Sequence, residues 1–462
     1  MQRTLLWKIA LIGFVALLLL IPVDMIRGLV AERKLARDGV IAEIARGSSE
    51  AQRIVGPVLY VPWTRRSVEA TTSTDDSGRS RTTSKEKVEH GQVALLPSTL
   101  LVDGKIELQE KHRGIYKAHL YTLDATLRGS FVVPPGLGVS EGTGTLEWGR
   151  AYLVLGIHDT RGIRDRVQLD WNGAQPTLYP GGVEAAGLAN GLHADLGKLA
   201  ESKNPVTHEF KIALSLLGTE RLDIVPGGAI TAVSLASTWP HPSFTGRILP
   251  DTGTRISRDG FAATWRTSHF ATNLAQLHQR CVQSRQCDAF HQHSLAVSFI
   301  QPVDLYQTVE RSVKYGFLFI GLTFAAFFLF EVLQRLAIHP VQYALVGIAL
   351  AIFFLLLIAL SEHIGFALAY STATGACVAL LGYYVAHVLH SWRRGAGFAV
   401  SLASLYGLLY VLLRAEDHTL LMGSILVFAA IAATMIATRR VDWYAVGAHP
   451  SGMNAPVEQK PA

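Results

Sequence analysis

Long apolar segments occur in two places along the chain: one lies near the N-terminus, and a series begins near Lys314. A helix that crosses the hydrocarbon core of a bilayer needs about 20 mostly apolar residues. Six segments approach or meet this length, the fifth being the shortest: Leu5–Ile26, Val313–Val332, Val341–Ser361, Ile364–Ala386, Phe398–Leu413 and Leu420–Thr438. The pattern predicts a membrane protein with one N-terminal transmembrane anchor and a C-terminal bundle of five transmembrane helices.

The first apolar segment resembles a secretory signal, because Arg3 and Lys8 precede the run Ile9–Val23. No small-x-small cleavage pattern follows this run, and the chain continues into a charged segment with helical spacing. We therefore expect an uncleaved signal anchor that extends outward as a stalk helix.

Basic residues near the helix ends predict the orientation, because cytoplasmic loops are enriched in Lys and Arg. With the N-terminus inside, the cytoplasmic loops and tail would hold Arg335, Arg393, Arg394, Arg439 and Arg440. The expected division is a cytoplasmic N-terminus and anchor over 1–27, an extracytoplasmic domain over 28–311, the helix bundle over 312–440 and a cytoplasmic tail over 441–462. This describes a multi-pass membrane protein, with the lipid bilayer as its surroundings.

From Ile54 the apolar period changes to two, which is typical of strands. Val206–Leu216 alternates in this way, and Ala118–Phe131 alternates with a phase shift after Thr122 that predicts a β-bulge. Gly and Pro clusters punctuate many short runs, a pattern that favours an antiparallel, sandwich-like, β-rich domain. The length leaves open one domain or two sheet units divided near Pro180–Asn204.

The segment Ser67–Gly91 consists almost wholly of polar and charged residues without apolar periodicity. Such a segment buries little surface, so we expect a flexible insertion at a hairpin tip. Its charged side chains leave contact with a partner as an alternative.

Composition narrows the function classes. Apolar residues make up 49% of the chain, charged residues 17%, and the net charge is +6. The charge is scattered, so no nucleic-acid partner is expected. The sequence has no GxSxG, HExxH, Walker loop or paired CxxC motif, and His158–Asp159 is interpreted as a turn after a strand. We expect no enzymatic activity and no cofactor, although a site assembled from distant residues stays an alternative.

The densest local cluster of potential metal ligands is His278, Cys281, Cys287, His291 and His293. Outside the cytoplasm, two close cysteines usually oxidise to each other, so a Cys281–Cys287 disulfide is favoured. A zinc or copper site formed by the five residues and free thiols are the alternatives.

Ionisable residues of the predicted spans fall near helix ends, where their polar groups can reach water: Glu331, Glu362, His363, His387 and His390. The fourth span also carries Ser371-x3-Gly375 and Thr372-x3-Ala376, which predict close helix packing. A packed bundle is therefore expected rather than a conduction path.

Several motifs together resemble the CreD family of bacterial inner-membrane proteins, over nearly the whole chain. They are Leu20-Ile-Pro22 with Arg27, Val55-Gly-Pro57, Arg113-Gly-Ile-Tyr116, Val225-Pro-Gly-Gly228, Thr238-Trp-Pro-His-Pro-Ser-Phe244, Lys314-Tyr315, Leu322-Thr-Phe324 through Phe330-Glu331, His339-Pro-x-Gln-Tyr343, Leu360-Ser-Glu-His363 and Asp442-Trp-Tyr-Ala445. The resemblance implies a location in the cell inner membrane, with the domain over 28–311 in the periplasm. It also implies a role in envelope integrity, under a two-component system tied to the β-lactam response of Gram-negative bacteria. It supplies no catalytic residues.

Within these motifs, Trp239, His241 and Phe244 form a proline-flanked aromatic segment suited to contact a partner or the bilayer surface. A structural corner that packs the aromatic rings into the core is the alternative.

Three functions stay open. The first is a non-enzymatic envelope factor that acts through contacts with lipids or envelope proteins. The second is a membrane sensor or regulator, and the third is a carrier or enzyme for an envelope component. The sequence leaves the partner and the oligomeric state open.

Overall fold

The computed structural model describes residues 2–74, 80–140, 142–200, 202–299, 305–333, 338–414 and 419–439. Arg79, Arg335, Arg440 and the tail 441–462 lie outside the described residues. The chain divides into two compact units, which are Met1–Arg37 with Val303–Ala462, and Asp38–Pro302.

The first unit is helical. It contains α1 (Gln2–Leu18), most of α2 (Leu20–Gly47), α6 (Leu305–Leu333), α7 (Pro340–Ile364), α8 (Phe366–Val388), α9 (Trp392–Arg414) and α10 (Thr419–Thr438). The first apolar segment covers most of α1 and the start of α2, and each of the other five segments coincides with one of the helices α6 to α10. By length and hydropathy, five described helices can span a membrane, namely Trp7–Gly47 and four later ones, and a shorter apolar helix covers Leu421–Ile436. Apolar and aromatic side chains, including Phe354, Tyr343 and Tyr406, fill the interior of the bundle.

The second unit, here called the β domain, contains strands and three short helices. In chain order they are β1 (Gln52–Thr74), β2 (Ser80–Leu95), β3 (Thr99–Arg113), β4 (Tyr116–Val133), β5 (Thr145–Trp148), β6 (Ala151–Ile157), β7 (Gln168–Trp171), β8 (Leu178–Pro180), β9 (Gly191–Gly197), β10 (Val206–Thr219), β11 (Arg221–Val225), β12 (Ile230–Ser237), β13 (Pro242–Gly246), β14 (Arg255–Ser257), β15 (Gly260–Ser268), α3 (His269–Thr272), α4 (Leu274–Ser284), α5 (Asp288–His291) and β16 (Leu295–Phe299).

The strands form two sheets around one core. Sheet A has the order β13-β16-β11-β1-β6-β9-β8, with β2 and β5 also paired to β1, and sheet B has the order β14-β15-β12-β3-β4-β10-β7. Buried side chains from both sheets, such as Leu59 and Phe210, belong to one hydrophobic cluster. Most pairs are antiparallel, as expected, but β1 with β11 and β12 with β3 are parallel.

The two sheets are not arranged in tandem along the chain. Sheet A contains both β1 and β16, and sheet B contains both β3 and β15. Each sheet therefore takes strands from both sides of Pro180–Asn204. A division of the β domain at that segment would cut both sheets.

The bulge expected after Thr122 is absent from β4, and this prediction was wrong. The strand pairs with both β3 and β10 in unbroken register. The apolar phase changes because both faces are covered near the start of the strand. Ala118 and Leu120 pack with Ile41 and Ile44 of α2, whereas the alternate residues from Tyr121 onward face the core between the sheets.

The described residues of the polar segment Ser67–Gly91, which are 67–74 and 80–91, lie in the outer part of two paired strands. Strands β1 and β2 are paired from Leu59↔Leu95 to Thr74↔Ser80. A two-stranded ribbon without further packing is only marginally stable in water. The flexibility expected for this segment therefore stays a prediction, although the backbone of its described residues forms regular strands.

Candidate functional site: a cleft at the free edge of strand β2

The His/Cys cluster lies on α4 and α5. Cys281 and Cys287 are placed as a disulfide pair, and Cys281 is buried. Both sulfurs lie over Gly187, where a β-carbon would overlap the sulfur of Cys281. The sulfurs therefore pack the end of α4 against the turn at residues 184–187, and oxidation of the pair in the cell stays a prediction.

Two of the three histidines of the cluster have separate side-chain hydrogen bonds, whereas the buried Nε2 of His291 has no partner among the described residues. Nε2 of His278 donates to the carbonyl of Ala186 over 3.0 Å. His293 donates from Nδ1 to Ala289 and accepts from Arg247 at Nε2. Because both nitrogens of His293 are occupied, this side chain cannot serve as a metal ligand in the arrangement observed. No group of three or more potential ligands with metal-binding geometry occurs in the described part of the chain.

Burial acts on two of these imidazoles. It lowers the pKa of His278, and the hydrogen bond to Ala186 only partly opposes this effect. Burial also lowers the pKa of His291, with a smaller contribution from the positive charge of Arg53. Both side chains therefore favour the neutral form inside the folded domain.

Two of the three residues of the aromatic segment pack onto the core of the β domain. Phe244 contacts Phe261 and Trp265 edge-on, and the ring of Trp239 lies 4.8 Å from that of His119. The indole N–H donates to the carbonyl of His241, whose side chain is exposed. These contacts favour the structural corner, and contact of the segment with a partner stays a prediction.

The carboxylate expected to reach water at the end of the second span is instead buried. Glu331 is 5% exposed and forms an ion pair with Lys8 of α1. It also accepts hydrogen bonds from the hydroxyl of Tyr343 and the amide of Ile338. Snorkelling was the wrong interpretation for this residue, because the partner of the carboxylate lies on another helix.

Glu362 has a comparable environment on α7. Its side chain accepts a hydrogen bond from the hydroxyl of Tyr306 and lies 3.9 Å from the guanidinium of Arg33. Arg37 stacks over the ring of Tyr306. The other ionisable residues predicted at helix ends, His363, His387 and His390, are exposed as expected.

Helices α8 and α9 approach each other closely, but at small residues that differ from those predicted. Ser371, Thr372, Gly375 and Ala376 are exposed on α8. The close approach of α8 and α9 occurs at Gly395, where a β-carbon would overlap Ala386, and at Gly382, which faces Ala399. The small-residue principle holds for the pair of helices, but the sequence pattern indicated the wrong turn of α8.

A cleft of about 810 Å³ lies beside β2 in the β domain. One wall is strand β2 itself from His90 to Leu95, together with Tyr60 and Trp63 of β1. A second wall is one face of α4, with Ala275, Gln279, Val282 and Gln283, and the third is the short segment Leu137–Val139.

The pairing of β2 shows which of its backbone amides and carbonyls point into the cleft. Among the described residues, strand β2 pairs with β1 alone. The carbonyl of Pro62 accepts from the amide of Gly149, so Pro62 directs its backbone groups away from β2. In an antiparallel pair, a residue and its direct partner either both face each other or both face outward. Gln92 is the partner of Pro62, so the amide and carbonyl of Gln92 point into the cleft. By alternation, those of His90 and Ala94 do so too.

Side-chain contacts hold the walls of the cleft in place. Gln92 accepts from the hydroxyl of Tyr60 and donates to the carbonyl of Ala185, and the adjacent Ala186 accepts from His278 of α4. Strand β2 and helix α4 are therefore attached to the same turn. Burial, with a smaller contribution from Tyr152, raises the pKa of Tyr60, so this hydroxyl stays protonated and donates.

Trp63 lies over Gly91, its direct cross-strand partner. A β-carbon at Gly91 would overlap the six-membered ring of the indole. Glycine at this position is therefore required for the indole to lie flat across the hairpin.

The described lining of the cleft carries no acidic side chain and no Lys or Arg side chain. By contrast, Lys85, Glu86, Lys87 and Glu89 follow one another closely on the outer part of β2. The side-chain amides of Gln279 and Gln283 have no hydrogen-bond partner among the described residues. The cleft can therefore offer backbone and side-chain hydrogen bonds to an uncharged ligand. The sequence does not reveal this cleft, because its walls come from separate segments of the chain and no local motif in any of them indicates a binding site.

An anchor helix, a large β domain and a closing set of apolar helices define an integral membrane protein of the multi-pass class. Residues 4–444 match the family described as Inner membrane protein CreD. The chain is also 36% identical over 446 residues to Inner membrane protein CreD of Escherichia coli (strain K12), a match that covers 96% of this chain and 95% of that protein. This chain therefore belongs to the CreD family of inner membrane proteins, as its sequence motifs predicted.

Proposed function

We propose that this protein supports the integrity of the cell envelope without catalysing a reaction, by binding a partner through the cleft beside β2. In this proposal the β domain lies in the periplasm and both termini lie in the cytoplasm. The cleft is the observation that carries the proposal, since it combines an open strand edge with a neutral, hydrogen-bonding lining. The resemblance to the CreD family adds the expected link to the envelope and to the β-lactam response.

Binding rather than chemistry is proposed because of what lines the cleft. Its polar side-chain groups are the amides of three glutamines, the hydroxyls of Thr64 and Tyr60, the indole N–H of Trp63 and the imidazole of His90. His90 is exposed, and its Nδ1 lies 3.1 Å from the hydroxyl of Thr64. A carboxylate that could orient this imidazole as a general base is not among the lining residues. Such a lining suits reversible recognition.

The test is complementation of a deletion strain. Gln279→Trp places a bulky ring in the cleft, whereas Gln276→Trp places the same ring on the same helix outside it. We expect the wild type and Gln276→Trp to restore resistance to a detergent and exclusion of a membrane-impermeant dye, and Gln279→Trp to fail at equal membrane level. Equal restoration by both variants would contradict a role for the cleft.

A further inference from the structure

We propose that the cleft binds an extended polypeptide segment, with uncharged residues at its centre, as an additional strand paired to the edge of β2. This inference rests on the proposed function, for which it names the class of partner. It makes the recognition largely a matter of main-chain hydrogen bonds, supplemented by side-chain contacts on both faces of the added strand.

The first support is the row of unpaired backbone groups. His90, Gln92 and Ala94 direct their amides and carbonyls away from β1, as the orientation of Pro62 requires. An added strand meets such groups at every second residue. The six residues His90–Leu95 extend over about 20 Å, which matches a bound segment of five or six residues.

The second support is the position of the other two walls. Leu137 belongs to the core between the sheets, whereas Leu274 and Cys281 of α4 belong to a cluster on the opposite face of sheet A. A strand added to β2 would therefore direct alternate side chains toward Leu137–Val139 and toward α4. A groove between a strand edge and a helix is one established geometry for peptide binding by strand addition.

The third support is the distribution of charge along β2. Natural proteins protect exposed edge strands with charged side chains, which discourage pairing with other chains. The outer part of β2 carries such charges from Lys85 to Glu89, but His90–Leu95 carries no Lys, Arg, Asp or Glu. The unprotected stretch is the part that lines the cleft. Its neutrality fits a segment whose central side chains are also uncharged, because an unpaired charge there would be desolvated without compensation.

The probe is a phage-displayed library of linear peptides of roughly ten residues, selected on the full-length protein in lipid nanodiscs. We expect enrichment of peptides with an uncharged, alternating segment rich in β-branched residues. A synthetic copy of an enriched peptide is then measured by fluorescence anisotropy. Two N-methylated copies of this peptide are compared, one modified at the odd-numbered amides and one at the even-numbered amides. The copy whose modified amides face β2 should bind at least about tenfold more weakly, and the other copy should bind like the unmodified peptide.

Ala94→Pro provides the matched change in the protein. It removes one outward amide and leaves the bonds between β1 and β2 intact, whereas Val93→Pro removes an amide that faces β1. We expect Ala94→Pro to keep the thermal midpoint near that of the wild type and to weaken peptide binding about tenfold. Val93→Pro should lower the midpoint and serves as the folding control.

Equal binding of both N-methylated peptides, or no enrichment above a nanodisc without protein, would overturn the inference. Covalent homodimers of an Ala94→Cys variant, formed where no peptide is enriched, would also overturn it and would identify a second copy as the occupant. Failure of Gln279→Trp to complement, combined with no peptide enrichment, would leave the cleft as the site and reject only the peptide. Peptide binding combined with full complementation by Gln279→Trp would reject the proposed function instead.

Discussion

Lys8 and Glu331, 323 positions apart in the sequence, form an ion pair inside the helical unit. The Glu331 side chain is 6% exposed and that of Lys8 is 25% exposed. Tyr343 adds a hydrogen bond of 2.8 Å to the other carboxylate oxygen. The pair joins the first helix to the bundle formed by the end of the chain.

Removal of one partner of this pair should destabilise the protein more than removal of both. Glu331→Ala leaves the ammonium of Lys8 without a counter-charge, and breaking a buried ion pair in this way usually costs several kcal/mol of stability. Because Lys8 is partly exposed, we expect the free energy of unfolding to fall by about 2 kcal/mol. Lys8→Met with Glu331→Met should recover most of the loss, since an apolar pair of similar size avoids the desolvation of charge. The measurement is the thermal midpoint of the purified protein in detergent. A double variant no more stable than Glu331→Ala would contradict the interpretation.

The orientation predicts the behaviour of reporter fusions. A reporter that fluoresces only in the cytoplasm should be bright when fused after Arg394 and dark when fused after Gly187. Basic residues on the cytoplasmic side favour this orientation. A bright fusion after Gly187 would show that the proposed topology is inverted. An alkaline phosphatase fusion at the same position, which is active only in the periplasm, is the matched control.

The Cys281–Cys287 pair should be oxidised in the cell and dispensable for insertion. Five residues separate the cysteines, so the bond removes little unfolded-state entropy, and we expect about 2 kcal/mol of stabilisation at most. Cys281→Ser should accumulate at a near-normal level while exposing Cys287 to maleimide. Full labelling of both sulfurs in the unreduced wild type would contradict the disulfide. Labelling that a chelator then increases would revive the metal site at His278, His291 and His293.

The outer hairpin should be the most protease-sensitive part of the β domain. Lys85 and Lys87 lie on exposed β2, beyond the part of the hairpin that other strands cover. Mild trypsin treatment of spheroplasts should cut first in this segment, and mass spectrometry of the fragments identifies the site. If the segment stays intact while other sites are cut, it is folded against a partner.

Acidification should destabilise the β domain through His278. Because burial lowers the pKa of this imidazole in the folded state, the unfolded chain takes up a proton first as the pH falls below the ordinary value of about 6.5. The free energy of unfolding then decreases with falling pH, by up to about 1.4 kcal/mol per pH unit for each such group, until the folded-state pKa is reached.

His278→Gln keeps a donor for the carbonyl of Ala186 but cannot titrate, so its thermal midpoint should fall less between pH 7 and pH 5. The effect should be partial, since burial lowers the pKa of His291 as well. An unchanged pH dependence of the midpoint would exclude His278 as a contributor.

Local patterns in the sequence predicted the elements of the fold well. The apolar segments coincide with helices, and the alternation over Val206–Leu216 lies within β10. The parallel pairing of β1 with β11 joins residues about 170 positions apart, and no local signal specifies it. The apparent bulge in β4 arose for a similar reason, because the helix that covers Ala118 belongs to another part of the chain.

The candidate site was less accessible to sequence reasoning. Gln92 and Gln279 come from different elements, and neither residue type in isolation indicates a ligand. Glu331 illustrates the same limit, since its position near the end of α6 suggested exposure and only the fold brings Lys8 to it. The proximity of the sulfurs of Cys281 and Cys287 could be inferred because both cysteines are close in sequence, and oxidation of the pair stays a prediction.

The contacts of Lys8 and Arg33 have a consequence for the choice of bilayer. The two residues are 25 positions apart (33 minus 8) on the candidate span Trp7–Gly47, which corresponds to about 37 Å along a helix, and the apolar run Ile9–Val23 lies between them. A single helix adapts to a thinner bilayer by tilting, but this helix is attached to Glu331 and Glu362 of the bundle. Hydrophobic mismatch must then be met by the whole helical unit or by deformation of the surrounding lipid, which makes the packing of this protein sensitive to membrane thickness.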